Sequence, residues 1–423
     1  MAVTISGTTG VETPGIVSSG AVSGTTGTFT GNVSGVNGTF TGPVSGTTGT
    51  FSDNIQSTSQ NGGQLAGLRN RIMNGDMRVA QRGLVPFTVG LAATGVVQYT
   101  ADRWSFAQVT AATSPTVVGG IISDNAMGGS SKTHIYIQTT ATPKANLVTT
   151  DYAFIQQNIE GYNVADLKYG TASAKTVTIS FRAAAVNFGS TAVISVSLRN
   201  SAVDRSYVVP VTITNTAASY SVTIPGDTLV SSTWLTTNGV GLRVGFCAGA
   251  GPTYTTSTTG EWQGINFIAA AGTSNFLGTL NAALNITDVQ LEVGPVATPF
   301  EQRPIGMELA LCQRYYEVMP QAGTGSTQAS IGTGQNTTTT GGTVPLTFKV
   351  TKRATPGVTS SGSLRVYSAN GTELPVTSTI FIGVGPEGVS ITYGVGSGLI
   401  QGYAAVFGRV TNTTGEIQIS AEL

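Results

Sequence analysis

Charge is what this chain has least of. Only 9% of its 423 residues are Asp, Glu, Lys or Arg, against roughly 25% in an average soluble protein. The 20 basic residues are matched by 20 acidic ones, and a zero balance without a basic stripe argues against a nucleic-acid partner. Arg69, Arg71, Arg78 and Arg82 form the one basic cluster, interrupted by Asp76, and read as surface and ion-pair residues. A single histidine, His134, excludes a histidine zinc site by count. It also has no ordered nucleophile motif with which to build a Ser-His-Asp triad. The two cysteines, Cys247 and Cys312, lack metal spacing and are expected reduced and at least partly buried. No run of about 18 apolar residues predicts a membrane span. The opening Met-Ala-Val-Thr-Ile-Ser-Gly has neither the basic start nor the apolar core of a secretory signal. Phosphate-loop and dinucleotide fingerprints are also missing.

What the chain has instead is glycine, 56 residues of it, and an 11-residue repeat: Ser23–Val33, Ser34–Val44 and Ser45–Ile55. Phe29, Phe40 and Phe51 are the only aromatics in the first 60 residues, and Val33, Val44 and Ile55 follow each by four. The four-residue step keeps each pair on one strand face. The seven-residue step to the next Phe needs a glycine turn or bulge near Gly35 or Gly38. A unit with two large apolar side chains cannot build a core alone, so it must stack on copies of itself or on other chains. Three chains around one axis would bury Phe29, Val33, Phe40, Val44, Phe51 and Ile55, which predicts a homotrimeric stalk over residues 1–69.

With 40% apolar residues the remainder is too hydrophobic for a disordered chain. Short apolar runs between Gly, Asn, Thr and Pro predict an all-β protein. Val177–Phe181, Val193–Leu198, Tyr207–Ile213, Tyr220–Ile224 and Leu284–Val293 read as strands of a jelly-roll sandwich over residues 70–304. Ile305, Leu309, Cys312 and Tyr316 follow helical spacing after Pro304, and Pro320 ends a linking helix over 305–320. An uncharged Gly/Thr/Ser stretch then leads into a small C-terminal β-sandwich, so that 321–423 forms the tip. Trp104 alternates with Phe106 and is assigned to the core. Ile265 and Phe267 share one strand face and leave Trp262 on the other. That makes Trp262 the candidate exposed platform for a sugar face, with Tyr254 as its companion.

Several segments resemble bacteriophage tail-fibre proteins: Asn70-Arg71-Ile72-Met73-Asn74-Gly75-Asp76-Met77, Tyr99–Trp104, Gln157–Tyr162, and Val289–Gly294 through Ala297-Thr298-Pro299-Phe300-Glu301-Gln302-Arg303, followed by Ala310–Glu317. The resemblance spans residues 70–318, with a weaker match at Ala421-Glu422-Leu423. It implies a trimeric receptor-binding fibre with a carbohydrate-module-like jelly roll, joined to other tail or baseplate proteins through its N-terminal region and adhering to a host surface glycan. A virion component, assembled in the host cytoplasm and released by lysis, also fits an extracellular-looking composition without an export signal. The alternatives are a tailspike polysaccharide hydrolase and a purely structural capsid, neck or baseplate fibre.

Jelly rolls of the resembling kind carry a structural calcium ion joining their first and last strands. The resemblance places Asp76 and Asp288 as its ligands, and hard carboxylate oxygens suit Ca²⁺. No catalytic residue is assigned. Asp288 and Glu292, four apart on one strand, stand about 13 Å apart by strand rise, beyond the roughly 5–9.5 Å of a glycosidase pair.

Overall fold

The computed structural model describes residues 68–423 except 84–86, 90–95, 110–114, 131, 321–328, 369–370, 372 and 410–414. The predicted repeat stalk, with Phe29, Val33, Phe40, Val44, Phe51 and Ile55, lies outside the described residues.

Alternating side chains build a sandwich of two antiparallel sheets. In Val177–Val186 the residues Val177, Ile179, Phe181, Ala183 and Ala185 are buried, while Ser180 and Arg182 point outward. This strand lies in a six-stranded sheet, in the order Phe87–Val89, Thr116–Ser123, Thr133–Ala141, Ala283–Val293, Val177–Val186, Ala218–Ile224. Facing it is a seven-stranded sheet, in the order Trp262–Gln263, Ser206–Thr214, Thr191–Arg199, Val240–Ala250, Tyr152–Glu160, Trp104–Val109, Val96–Tyr99. Ile194, Val196, Leu198, Val244 and Phe246 meet Ile179, Phe181, Leu284 and Ile286 between them. Trp104 sits fully buried in this core, 6.3 Å from Phe246, which meets Phe181 edge-on at 4.9 Å. Both cysteines are free and buried, and burial pushes the Cys247 thiol up to about 12, so it is an inert core group.

The entry segment is laced onto the closing strand. Arg71 N donates to Leu291 O at 2.8 Å and Val289 N to Gly75 O at 2.9 Å. Gly75 is needed for this approach, because a Cβ there would stand 2.2 Å from Val289 O. Glu301 accepts the backbone N–H of Arg69 and Asn70 at 3.1 and 3.0 Å. Buried Arg303 donates to Ile72 O at 3.0 Å and pairs with Glu308 at 3.3 Å.

The helix is shorter than its spacing predicts, running over Ile305–Gln313. Ile305 and Met307 are exposed, while Glu308 and Gln313 are buried. Polar partners outweigh the apolar stripe: the Glu308 carboxylate faces inward to take Asn74 N–H and Arg303. Tyr316–Met319, expected as the helix's last turn, is a strand paired with Glu416–Ser420, which also pairs with Gly357–Ser361.

The C-terminal region forms a closed barrel rather than the expected sandwich at the tip. Its strand order is Ala329–Asn336, Gly341–Thr347, Gly388–Val395, Glu373–Ile382, Leu364–Ser368, Ala404–Arg409. The first strand pairs with both the second and the last, at Gln335↔Thr343 and Ala329↔Arg409, which removes the sheet edges. Glycine permits the close packing: a Cβ on Gly342 would stand 2.2 Å from the Tyr393 hydroxyl. Val344, Val366, Ile391, Tyr393 and Phe407 fill the interior.

Two buried carboxylates make stability pH-dependent. Glu160 accepts Arg314 Nε and Nη2 at 2.9 and 2.7 Å and the Tyr315 hydroxyl at 2.6 Å. Asp227 accepts Arg205 Nε and Nη2 at 2.9 and 2.7 Å. Burial pushes both carboxyls up, but these hydrogen bonds and positive charges outweigh it and hold both below the usual carboxylate range. A depressed folded-state pKa contributes stability above the unfolded value, lost as pH falls through the folded one. Stability should therefore fall on acidification below about pH 4. Glu160→Gln should melt lower than wild type at neutral pH but lose less between about pH 5 and about pH 3. Parallel melting-temperature curves for the two proteins would contradict this assignment.

Candidate functional site

The outward face of the six-stranded sheet carries a polar groove. Ala218–Ile224 pairs with Val177–Val186 so that Ser219 stands opposite Arg182 and Ser221 opposite Ser180. Tyr220 stacks on Phe181 at 5.8 Å beneath them. Alternation therefore turns three serines and an arginine to the outside of an apolar sheet. Arg182 is held by Nε donating to Met127 O at 2.9 Å and Nη1 to Ser219 Oγ at 3.0 Å.

The neighbouring strand contributes Asp288 through a bulge. Register slips between Thr287 and Gln290, and Asp288 takes a left-handed φ of 50°. A non-glycine residue held there is strained, and the bulge re-aims its carboxylate. That carboxylate accepts Ser130 N at 2.7 Å and Ser130 Oγ at 2.6 Å, pinning the Gly128–Ser130 wall. The opposite wall, Ala297–Phe300, is fixed by Glu292, which accepts Thr298 N at 2.8 Å and Thr298 Oγ1 at 2.7 Å. The walls enclose about 490 Å³, within the roughly 300–1,000 Å³ of small-ligand sites. Guanidinium donors, a carboxylate acceptor and serine hydroxyls line it beside Pro299 and Phe300. That set can donate to and accept from a polyhydroxylated ligand and cover one apolar face of it.

Asp288 thus stands in the groove wall. Asp76 is buried nearby: its carboxylate pairs with Arg78, and its backbone carbonyl accepts Thr133 Oγ1 at 2.6 Å. Burial raises the Asp76 carboxyl above its usual range, Arg78 opposes the rise, and Glu308 and Asp288 add to it. A calcium ion takes 6–8 oxygens. Among the described residues no group of three or more Asp, Glu, His or Cys is placed to hold a metal. In the structure Arg78 partners the Asp76 carboxylate, and Ser130 partners both oxygens of Asp288.

Trp262 is half-buried rather than exposed. Its ring meets Tyr207 at 5.3 Å, Trp234 at 5.4 Å and Tyr169 at 5.7 Å, and Nε1 donates to Pro225 O at 2.8 Å. Tyr254 belongs to a separate cluster, edge-on to Tyr152 at 5.0 Å. The structure does not bring the pair together. Sequence reasoning missed Arg182, Ser219, Ser221 and Phe300. The signals were a lone charge inside an apolar strand and a Ser-x-Ser-x-Thr alternation over Ser219–Thr223.

No protein-family model matches the chain, and no curated protein does. Solved structures with partial likeness include the enzymatically active domain of bacteriophage CBA120 tailspike protein 4, at 12% identity and TM-score 0.28, covering 53% of this chain and 21% of that one. The chain thus spans about a fifth of that tailspike domain. The CBM22-1 xylan-binding domain of Paenibacillus barcinonensis Xyn10C aligns at 12% identity and TM-score 0.25, over 49% of this chain and all of its own. The family 11 carbohydrate-binding module of Clostridium thermocellum, solved with a mixed-linked tetrasaccharide, aligns at 12% identity and TM-score 0.26, over 50% and 98%.

Proposed function

We propose that this chain is the host-recognition fibre of a bacteriophage, working as a homotrimer on the virion tail, and that its sandwich binds a host surface glycan. The observation that carries this reading is the groove: Arg182, Asp288 and outward serines around a sugar-sized space, with Phe300 at its edge. Asp288 is the one carboxylate among the lining residues. Glycoside hydrolysis uses a pair, so the groove is read as one that binds without cutting. The stalk repeat supports the trimer, and three grooves on one fibre would convert weak single-site affinity into strong adhesion.

Arg182→Ala tests the site. Losing a charged donor should weaken binding of purified envelope polysaccharide by about 10- to 100-fold in calorimetric titration, with an unchanged far-ultraviolet spectrum. No reducing ends should be released from the polysaccharide. Wild-type affinity in a folded Arg182→Ala protein would move the site elsewhere, and reducing-end release would favour the hydrolase.

A further inference from the structure

On the outer face of the seven-stranded sheet, Arg199 and Arg243 are direct cross-strand partners, with Asn158 opposite Arg243 on its other side. Like charges directly opposite on one sheet face repel. Among the described residues neither arginine forms an ion pair with a carboxylate. Their donors go to neutral acceptors instead. Arg199 Nη1 reaches Asn266 Oδ1 and Nη2 reaches Gln156 Oε1, both at 3.0 Å. Arg243 Nη1 reaches Asn158 Oδ1 at 3.1 Å and Nη2 reaches Ser201 O at 3.2 Å. Nε of each is buried with no hydrogen-bond partner. Arg199 is only 4% exposed, with its guanidinium carbon 5.0 Å from the centre of the Phe154 ring. Arg243 is half-buried. Burial, then the charge of Arg243, pull the Arg199 guanidinium down to about 10.

Adjacent arginines with fixed amide partners and, among the described residues, no carboxylate counter-ion form a pre-assembled fork for an oxyanion. We propose that Arg199 and Arg243 together seat a carboxylate or phosphate group carried on the recognised surface glycan. The inference rests on the glycan-binding reading and gives its ligand a charge. Occupancy would relieve the repulsion between the two cations.

The test uses the full chain at constant ionic strength in chloride, titrated with inorganic phosphate, glucuronate or glucose. Phosphate or glucuronate should raise the melting temperature where glucose does not. A response to phosphate alone would assign a phosphorylated glycan, and a response to glucuronate alone an acidic sugar. Arg243→Gln, which can still hydrogen-bond to Asn158, should bind the responding anion at least about tenfold more weakly. Arg243→Lys, charged but without the fork, should fall between. Arg182→Ala, in the separate groove, should retain the anion response. No anion shift beyond chloride, or an equal shift in a folded Arg243→Gln protein, overturns the proposal. Polysaccharide binding lost in Arg182→Ala but intact in Arg243→Gln would sink this inference alone and leave the groove reading standing.

Discussion

Replacing Glu422 with Ala is expected to destabilise the protein by about 3–5 kcal/mol, the scale for breaking a buried ion pair from one side. One Glu422 carboxylate oxygen takes Arg103 Nη1, and the other takes Arg82 Nη2 at 3.2 Å. Arg103 cannot retreat to water. It is buried, its guanidinium lies 3.6 Å from the centre of the Tyr315 ring, and Nη2 donates to Asn158 O at 2.6 Å. Arg82 is sandwiched between Tyr316 and Tyr99, at 3.5 and 4.6 Å from their ring centres. Around this knot the chain end is tied on both sides. Ala421 N donates to Tyr315 O at 2.7 Å, Arg353 donates to Ala421 O and Glu422 O at 2.5 Å each, and Asn158 Nδ2 donates to Leu423 O at 2.9 Å. Residues 421–423 thus clasp the three-stranded sheet packed on the barrel to the sandwich. Glu422→Ala should lower the denaturation midpoint accordingly, and Glu422→Gln, which keeps neutral hydrogen bonds, should lose less. Deleting residues 421–423 should split one calorimetric transition into two. A loss below about 1 kcal/mol, the range of exposed pairs, would show that Arg103 finds another partner.

The clasp illustrates what a sequence withholds. Strand alternation was legible because it is local: Trp104 and Phe106 announce a buried face, and Val177–Phe181 and Leu284–Val293 are sheet strands. Tyr316–Met319 was misread as helix because its partner, Glu416–Ser420, lies a hundred residues away. The barrel closes on a similarly remote pairing, Ala329 with Arg409, so the C-terminal region looked like another sandwich. The inward face of the helix was hidden for a different reason. Glu308 is buried by Asn74 and Arg303, and no periodicity reports a polar partner from elsewhere in the chain. The groove draws on residues 128–130, 180–182, 219–221, 288 and 297–300. Asp288 was singled out among these as a metal ligand; in the structure its carboxylate holds the Ser130 wall, a role its place in the sequence did not announce. Trp262 was placed outside by alternation alone, whereas Tyr169, Tyr207 and Trp234 close around it.

The other large effect is expected at Lys352 and Glu317, whose side chains are both 0% exposed and 2.6 Å apart. Lys352 Nζ also donates to Gln313 O at 2.6 Å and Val350 O at 3.1 Å, and Glu317 accepts Lys349 N at 3.2 Å. Burial pulls the Lys352 ammonium below its usual range, and Glu317 opposes the fall. The pair joins the strand after the helix to the segment leading out of the barrel's second strand. Lys352→Met leaves a buried carboxylate without its cation, and Glu317→Leu leaves a buried ammonium without its anion. Each should cost about 3–5 kcal/mol. The double variant replaces both charges with apolar volume and should be more stable than the sum of the two losses by about 1–3 kcal/mol. The Lys352→Met protein carries its own check. Its unpaired Glu317 should have a raised folded-state pKa, so the native state holds a proton that the unfolded chain releases. Stability of that variant relative to wild type should therefore be best near about pH 4 and worsen as pH rises toward neutrality. Denaturant titrations of the four proteins across this range decide the matter: strict additivity, or a pH-independent loss in Lys352→Met, would mean that water reaches the pair and that it contributes no more than a surface contact.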